Sequence, residues 1–399
     1  SLSTPVNANI STTNGSATMT ITDDDDAPTV SIADDSTSDE AAGPTNLTVT
    51  LSAASEKTIT VQYATSDGTA TASSDYTAST GTLTFNPSET TKNVAIAVLA
   101  DITDEENETV TVTLSNPSEV SLNDAVGELT ITDDDDPPTL SVDNVTTPDE
   151  SAVIRSFTVT LSEASAKTVT VNYATADGTA SAANDYISTS GPLTFNPGIT
   201  SQTVDVTIVQ DTIDEAHETF TLALSGEANA TIASATGTMT ITDDETTPTL
   251  SILDASTSDE TAANLTITVT LSGQSSETVT VDYATADGTA TTAAPADYTA
   301  TNNTLTFDPG DTSKTFTVGI LADTIHEHNE TFIVTLSNPT NATVNDMMGE
   351  FTITDDDIAP TIDIADNTTT NEADGTTNLV ATLSAASEKT ITCLLYTSD

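Results

Sequence analysis

The sequence predicts an all-β chain of tandem antiparallel two-sheet sandwiches, and three observations support this fold class. The segment Thr-Ile-Thr-Asp-Asp recurs with its isoleucine at positions 21, 131, 241 and 353, so the repeat length is 110 to 112 residues. Within each repeat, short threonine-rich segments alternate apolar and polar residues, which is typical of half-buried strands. No window shows convincing helical periodicity, and about 110 residues with about seven strands is the size of one immunoglobulin-like sandwich.

The repeat predicts three complete units, with part of a further unit at each end. The predicted segments are 1–26, the end of an upstream unit; 27–136, unit 1; 137–246, unit 2; 247–358, unit 3; and 359–399, the beginning of another unit. A proline follows each acidic run within a few residues and favours an extended backbone before it. We therefore expect short, extended connections between consecutive units.

Seven alternating segments of unit 1 are the predicted strands, and turn sequences such as Asp67-Gly68 separate them. Alternate residues of a strand face the same side of a sheet, so the apolar positions are the predicted core. These positions are Val30 and Ile32; Leu47, Val49 and Leu51; Ile59, Val61 and Tyr63; Leu83 and Phe85; Val94, Ile96 and Val98; Val110, Val112 and Leu114; and Leu129 and Ile131.

The end of the sequence departs from the repeat. Residues 385–392 are identical to 53–60, but the pattern then breaks at Cys393, the single cysteine of the chain. We expect residues 393–399 to be artefactual and base no functional argument on them. One cysteine also excludes an intrachain disulfide, so another means of stabilisation, such as a bound metal ion, is expected.

The chain carries 62 acidic and six basic residues, a formal net charge of −56. This excess excludes nucleic acid as a partner, because nucleic-acid binding needs a basic surface. No segment has the apolar length of a membrane span, so direct membrane insertion is not expected. Dense carboxylates also repel one another and destabilise a compact fold unless cations screen or bind them.

The acidic residues recur at matching positions in the connections between predicted strands. They are Glu40, Asp75, Asp101, Asp104, Glu105, Glu108, Asp133, Asp134 and Asp135 in unit 1; Glu150, Asp185, Asp211, Asp214, Glu215, Glu218, Asp243, Asp244 and Glu245 in unit 2; and Glu260, Asp297, Asp323, Glu327, Glu330, Asp355, Asp356 and Asp357 in unit 3. Calcium takes six to eight oxygen ligands, which acids on several loops at one end of a sandwich could supply.

Solvated linkers, magnesium sites and transition-metal sites fit the acidic residues less well than calcium sites. Runs of acids also occur as solvated, solubilising linkers, but such linkers would not keep the acids in register over three units. Magnesium prefers fewer carboxylates and retained water, and transition metals prefer histidine or thiolate. No EF-hand loop or glycine-rich calcium repeat occurs, and no catalytic arrangement of nucleophile and base recurs, so an enzyme is not expected. At His326, which occupies the place of Asp104 and Asp214, we expect a loop position that binds no metal, and Asp104 and Asp214 are therefore second-rank ligands.

Four ordered motifs in three copies carry a resemblance to a known family. They are Asp-Gly-Thr-Ala…Asp-Tyr at 67–76, 177–186 and 287–298; Leu-Thr-Phe-x-Pro at 83–87, 193–197 and 305–309; Asp-x-x-x-Glu-x-x-Glu-Thr at 101–109, 211–219 and 323–331; and the terminal Thr-Ile-Thr-Asp-Asp. The unit resembles the Calx-beta domain of sodium–calcium exchangers, integrin β4 and bacterial surface proteins.

The resemblance implies a calcium cluster at one end of each sandwich, near the next unit. In unit 1 it implies carboxylate ligands at Glu40, Asp75, Asp101, Glu105 and Glu108, at the terminal aspartates Asp133, Asp134 and Asp135, and at the backbone carbonyl of Thr103. The equivalent acids of units 2 and 3 follow by position, with Glu245 in place of the third terminal aspartate of unit 2.

These observations predict a calcium-binding tandem segment of an extracellular or cell-surface protein, with or without a membrane anchor. The units would act as calcium-stiffened spacers in adhesion or cell–matrix contact, with an extracellular protein or carbohydrate as partner. Two alternatives stay open. The units could be intracellular calcium sensors that regulate a transporter, or they could form the carrier arm of an enzyme domain outside this segment.

Overall fold

Each of the three units consists of two packed β-sheets. The computed structural model describes residues 2–13, 16–37, 39–151, 154–257, 259–366, 373, 375–376 and 378–396. The strands of unit 1 are β1 (Thr29–Ile32), β2 (Asp35–Ser36), β3 (Thr45–Leu51), β4 (Ile59–Asp67), β5 (Thr80–Phe85), β6 (Thr91–Ile96), β7 (Glu108–Ser115), β8 (Ser121–Asp124) and β9 (Val126–Ile131). One short 3-10 helix, Glu40–Ala42, lies between β2 and β3.

Units 2 and 3 repeat this order of strands. Unit 2 has β10 (Thr139–Val142), β11 (Val145–Thr146), β12 (Ile154–Leu161), β13 (Val169–Asp177), β14 (Ser190–Phe195), β15 (Ser201–Thr207), β16 (Glu218–Ala228), β17 (Thr231–Ser234) and β18 (Thr236–Ile241). Unit 3 has β19 (Thr249–Ile252), β20 (Ala255–Ser256), β21 (Asn264–Leu271), β22 (Val279–Asp287), β23 (Asn302–Phe307), β24 (Ser313–Gly319), β25 (Glu330–Thr340), β26 (Thr343–Asp346) and β27 (Met348–Ile353). Two further strands follow, β28 (Ile362–Ile364) and β29 (Ala381–Leu383).

The same sheet topology recurs in all three units. In unit 1 a four-stranded sheet has the order β6-β3-β1-β8, and a five-stranded sheet has the order β2-β9-β7-β4-β5. The corresponding sheets are β15-β12-β10-β17 and β11-β18-β16-β13-β14 in unit 2, and β24-β21-β19-β26 and β20-β27-β25-β22-β23 in unit 3. The chain changes sheets between β1 and β2, and this change places the Glu40 turn beside the end of β9.

The predicted fold class is confirmed, and the structure adds detail to it. All seven predicted strands of unit 1 are present, as β1, β3, β4, β5, β6, β7 and β9. The two additional strands, β2 and β8, are short and exposed, and they pair in parallel with β9 and β1. Their sequences lack alternating apolar residues, because neither strand contributes a side chain to the core. The alternation rule could therefore not have found them.

Each unit has its own hydrophobic core between its two sheets. In unit 1, Val30, Leu47 and Val49 of the four-stranded sheet are fully buried against Ile59 and Val110 of the five-stranded sheet. Units 2 and 3 have separate clusters of the same kind. Along the long strands, residues that face the core thus alternate with residues that face solvent. The predicted segment boundaries remain predictions.

The strand register brings the acidic connections to one end of each sandwich. Glu108, the first residue of β7, is paired with Ile131 at the end of β9, and Val110 is paired with Asp67 at the end of β4. The loop after β4, the loop before β7 and the acidic run after β9 therefore leave the sheet at the same edge. A glycine permits the close approach of two of these segments, because a Cβ atom at Gly68 would collide with the backbone of Thr109.

Candidate metal centre

Two groups of three carboxylates lie at the acidic end of unit 1. Triad A consists of Glu40, Asp101 and Asp135, and triad B consists of Asp75, Glu105 and Glu108. In each triad, one oxygen from every carboxylate lies within 4.8 Å of the other two. The residues come from four separate connections, so only the folded sandwich brings them together.

Unit 3 repeats both triads, and unit 2 repeats triad B. The members are Glu260, Asp323 and Asp357 (triad A of unit 3), Asp297, Glu327 and Glu330 (triad B of unit 3), and Asp185, Glu215 and Glu218 (triad B of unit 2). Among the described residues of unit 2, the equivalents of triad A do not converge to the same separation. Their charges still interact, because Glu245 and Asp211 both raise the pKa of Glu150. Unit 2 has Glu245 where units 1 and 3 have an aspartate.

The two triads of unit 3 border one small cavity of about 10 Å³. Its lining includes acids of triad A, acids of triad B, His328, Leu321 and Ile353. This volume has room for about one water-sized sphere. In unit 2 the triad B acids and Asp211 instead line an open cleft of about 440 Å³. The acids of both units therefore surround a space rather than pointing away into bulk solvent.

Local turns hold the triad acids in place. Asp101 Oδ1 accepts a hydrogen bond from the Thr103 backbone N–H at 2.7 Å, which fixes the start of the β6–β7 loop. Asp75 Oδ2 accepts one from the Thr71 N–H at 2.5 Å. Both contacts recur in units 2 and 3, at Asp211 and Asp323 and at Asp185 and Asp297. These backbone contacts fix the orientation of each aspartate at the site.

Threonine locks the last strand to the turn that carries Glu40. The Thr132 N–H donates to Thr37 Oγ1 at 2.8 Å, and the Thr132 hydroxyl donates to the Thr37 carbonyl at 3.0 Å. The same reciprocal pair occurs in units 2 and 3. This contact explains the second threonine of Thr-Ile-Thr-Asp-Asp, which positions the acids that follow it.

Crowding of like charges shifts the triad glutamates. Burial, the charge of Asp101 and the charge of Glu105 raise the pKa of Glu40 to about 7. Burial and the hydrogen-bonded carboxylate of Asp75 raise the pKa of Glu108 to about 7. By the same causes, led by burial, the pKa reaches about 8 for Glu150 and Glu327, and about 7 for Glu218, Glu260 and Glu330. A cation among these groups would reverse the effect, because it favours the ionised form.

The residues present fit a hard divalent cation. Oxygens of Glu108 and Asp75 lie within 4.8 Å of each other, as do those of Glu218 and Asp185 and of Glu330 and Asp297. Burial and the neighbouring aspartate raise the pKa of each of these glutamates, and a metal ion between the carboxylates would favour their ionised form. In addition, Asp133 Oδ1, Glu245 Oε2 and Asp357 Oδ2 are buried without a hydrogen-bond partner. Buried oxygens without a donor, in a site made only of oxygen ligands, suit calcium.

The terminal aspartates divide into different roles. Asp135 and its equivalent Asp357 join triad A. Asp134 Oδ1 accepts the Glu40 N–H at 3.2 Å, as Asp244 does for Glu150, so these two acids brace the turn. The first aspartate is fixed differently, because Asp243 and Asp355 accept the N–H groups of Glu215 and Glu327. Asp356 lies close enough to Glu260 for its charge to raise the pKa of that glutamate. Metal ligation by all of these residues, and by the Thr103 carbonyl, remains a prediction.

The second-rank ligands of the sequence prediction lie elsewhere. Asp104 belongs to neither triad; it is 1% exposed and contacts Ser165 of unit 2. Asp214 contacts Ser275 of unit 3 in the same way, and His326 contacts Ser387. These loop positions are contacts between consecutive units. Periodicity within one unit could not show this, because the partners lie 61 residues apart.

Two supporting roles escaped the sequence prediction. The Tyr76 hydroxyl donates to Asp67 Oδ1 at 2.7 Å beneath the site, and this pair accounts for the spacing of the Asp-Gly…Asp-Tyr motif. Asn107 Oδ1 accepts the Asp133 N–H, and His217 Nδ1 accepts the Asp243 N–H at 3.2 Å. His217 therefore takes the place of an asparagine as a backbone acceptor. The sequence signal for this role was that Asn107 and His217 occupy the same position in units 1 and 2.

No helix in the described part of the chain has the length and apolar character needed to cross a membrane.

Comparisons with known proteins agree with the geometry of the units. The family model of the Calx-beta domain matches three times, over residues 23–135, 133–245 and 243–357. Sodium/calcium exchanger 1 of Canis lupus familiaris is 31% identical over 214 residues, which cover 47% of this chain and 22% of that protein. Sodium/calcium exchanger 3 of Homo sapiens is 50% identical over 66 residues, which cover 16% of this chain and 7% of that protein. The chain thus spans about a fifth or less of the length of these relatives.

A solved structure also matches the chain. The crystal structure of CBD12 from CALX1.2 aligns with a TM-score of 0.27 and 21% identity, over 53% of this chain and 99% of that one. The three family matches together extend over most of the sequence, and each spans the full set of acids described above for its unit. The chain therefore belongs to the Calx-beta domain family.

Proposed function

We propose that units 1 to 3 each bind calcium through their acid triads, and that the array becomes more rigid when they do. The observation that carries this proposal is the convergence of three carboxylates within 4.8 Å of one another, which recurs in all three units, as at Asp75, Glu105 and Glu108. Family membership supports the choice of calcium, because the matched relatives with this domain are sodium/calcium exchangers.

The triad residues would hold the ions, and the remaining acids would support them. The proposed direct ligands are Glu40, Asp75, Asp101, Glu105, Glu108 and Asp135 in unit 1, with their equivalents in units 2 and 3. When bound, calcium would neutralise the carboxylates and crosslink four connections at the end of the sandwich. The site offers carboxylates to a cation and no arrangement of nucleophile and base, which favours binding over catalysis.

A regulatory role is the better supported use of this binding. The relatives named above are sodium/calcium exchangers, and the matched segments are a minor part of them. We infer that the array acts as a calcium-responsive regulatory segment of a larger protein. The activity and location of that protein are part of the proposal.

A second candidate is a calcium-stiffened spacer of an extracellular or cell-surface protein, which would present an adhesion domain to a protein or carbohydrate. Three units in tandem with a net charge of −56 favour it. The charges at each junction would repel without calcium and be bridged with it, so the cation would change the length of the array.

Calcium affinity distinguishes the two candidates. Calorimetric titration of the metal-free chain should give dissociation constants of about 10⁻⁷–10⁻⁵ M for a regulatory sensor, and of about 10⁻⁴–10⁻³ M for an extracellular module. The titration is repeated with magnesium as a control for unspecific screening. Equal heats for both ions, or no saturable heat at all, would contradict calcium binding itself.

A further inference from the structure

Basic residues are rare in this chain, yet half of them occupy one position of the unit. The chain has six lysines and arginines in total. Lys57, Lys167 and Lys389 each stand two residues after a serine, in the connection before the fourth strand of a unit. In unit 3 the same position is Glu277. Because the chain has 62 acidic residues and only six basic ones, a recurrent lysine at one position calls for a structural explanation.

At the contact between units 1 and 2, this lysine reaches the acidic end of the preceding unit. The Ser165 hydroxyl donates to Asp104 Oδ2 at 2.8 Å, and Lys167 Nζ lies 2.7 Å from Asp104 Oδ1. Lys167 Nζ also lies 3.5 Å from Asp133 Oδ2. The lysine side chain is only 18% exposed. It is therefore a counterion that unit 2 supplies to unit 1, at Asp133, whose charge acts on Glu40 of triad A and Glu105 of triad B.

The contact that follows unit 3 has the same arrangement. Lys389 Nζ lies 3.2 Å from Asp355 Oδ2 and 2.9 Å from His326 Nε2. Ser387 Oγ donates to the His326 carbonyl at 2.9 Å. His326 thus replaces the side chain of Asp104 as the second acceptor for the lysine. The lysine position is kept even where its partner changes.

The contact between units 2 and 3 keeps the serine and loses the cation. Ser275 Oγ donates to Asp214 Oδ2 at 3.0 Å and to the Asp214 carbonyl at 3.1 Å. Glu277 is exposed. Among the described residues, no lysine or arginine forms an ion pair with Asp214 or Asp243.

We infer that the residue two positions after the contact serine sets the calcium affinity of the preceding unit. A lysine there competes with calcium for the acidic end of the preceding unit. Its charge neutralises an aspartate beside the triads and repels an incoming cation. Lys167 and Lys389 then weaken the calcium binding of units 1 and 3, whereas the neighbour of unit 2 supplies Glu277 instead. This inference rests on the proposed calcium binding and assigns its tuning to the neighbouring unit. By linkage, calcium in units 1 and 3 would weaken the lysine contact by the same factor.

A charge exchange tests the inference in the full chain, with calcium as the titrant. Calcium binding by unit 2 is measured in a chain that also carries Glu108→Gln and Glu330→Gln, which remove a triad B ligand from units 1 and 3. Binding by unit 1 is measured in a chain that also carries Glu218→Gln and Glu330→Gln. Glu277→Lys should weaken binding by unit 2 at least about fivefold, the lower end of typical coupling between sites, and Lys167→Glu should strengthen binding by unit 1 to a similar extent. Glu277 is exposed, so its substitution does not threaten the fold.

Matched controls separate a local effect from one of net charge. Glu227→Lys lies on an exposed strand position of unit 2, and Lys92→Glu lies on β6 of unit 1. Both controls should change the dissociation constant less than twofold. Calcium binding that responds equally to Glu277→Lys and Glu227→Lys would overturn the inference and leave the proposed function standing. A chain that binds no calcium in any variant would overturn both.

Discussion

At the scale of single residues, the protein concentrates carboxylates where they repel one another. Oxygens of Asp75, Glu105 and Glu108 lie within 4.8 Å of one another, and burial together with the neighbouring charges raises the pKa of Glu108 to about 7. The sequence indicated which acids belong to the end of the sandwich, because they recur in register. The sequence could not show that Asp134 accepts a hydrogen bond from the Glu40 backbone or that Asp104 contacts the next unit. All of these residues are aspartates, and only the folded strands determine which partner each one meets.

Replacing one carboxylate of triad B should have opposite effects with and without calcium. With calcium, Glu108→Gln should weaken binding by unit 1 about tenfold or more, because a ligand oxygen is lost. With chelator, the same variant should melt at a higher temperature than the wild type, because a crowded carboxylate is removed. The control is Glu106→Gln, an exposed acid in the same loop. Calorimetry and thermal melting check both parts, and a variant that behaves like its control would contradict the assignment.

Calcium binding should release protons at neutral pH. The pKa values of about 7 for Glu40 and Glu108, and of about 8 for Glu150 and Glu327, leave these groups partly protonated at pH 7. Calcium needs the ionised form, so binding displaces the protons. Titrations at pH 7 in buffers of different ionisation enthalpy should give different binding enthalpies, and this difference should disappear near pH 9. A binding enthalpy independent of buffer at pH 7 would speak against these groups as ligands.

The metal-free fold should lose stability as the pH rises. A carboxyl group whose folded pKa is raised stabilises the fold below its ordinary value of 4.5, and this contribution is lost as the pH passes the folded value. In chelator, the melting temperature should therefore fall between about pH 5 and pH 8. With saturating calcium the trend should be absent or reversed, because the bound ion favours ionised carboxylates. A chelated chain that becomes more stable toward pH 8 would refute this reading.

At the scale of elements, the strands follow from alternation, while the turns follow from contacts that alternation does not report. Glycine after the fourth strand of a unit is an example. It recurs as Gly68, Gly178 and Gly288, and in each case a Cβ atom would collide with the backbone of a threonine in the seventh strand. A turn signal was visible in the sequence at Asp67-Gly68, but the reason for the glycine is a packing distance between two strands.

Two glycine substitutions in unit 3 should therefore differ in effect. Gly288→Ala places a Cβ atom against the Thr331 carbonyl oxygen and should cost about 1–3 kcal/mol of unfolding free energy. Gly273→Ala meets no atom within 4 Å and should be neutral or slightly stabilising. Denaturant unfolding of both variants in chelator makes the comparison. Equal losses for the two would show that the close approach at Gly288 does not constrain the turn.

At the scale of the whole molecule, units 1 to 3 have separate cores, and a small polar contact joins each unit to the segment that follows it. Each contact centres on one serine, Ser165, Ser275 or Ser387, and on the loop residue that it binds in the preceding unit. The repeat length predicted the number of complete units, and the acidic runs predicted where charge would accumulate. The contacts between units were beyond prediction, because they join residues of two different repeats.

Removing calcium should soften the array as a whole. Each occupied site adds about 2.7 kcal/mol of unfolding free energy when calcium exceeds its dissociation constant 100-fold. Chelation should therefore lower the melting temperature and broaden the distribution of lengths measured by small-angle scattering. The control is to raise the ionic strength of the chelated sample with a monovalent salt. Screening of charges alone should not restore the narrow distribution of lengths. An unchanged melting temperature and scattering profile would contradict a stiffening role.

The most direct test counts calcium ions bound by the intact chain and by one variant. Equilibrium dialysis should show saturable binding of at least one ion for each of units 1 to 3. The variant that combines Glu108→Gln, Glu218→Gln and Glu330→Gln removes one triad B ligand from every unit and should lose most of this binding. If the wild type binds no calcium up to about 10 mM, beyond the weak end of known calcium modules, the acid triads are not calcium sites. If the variant binds as many ions as the wild type with equal affinity, calcium is held by other residues.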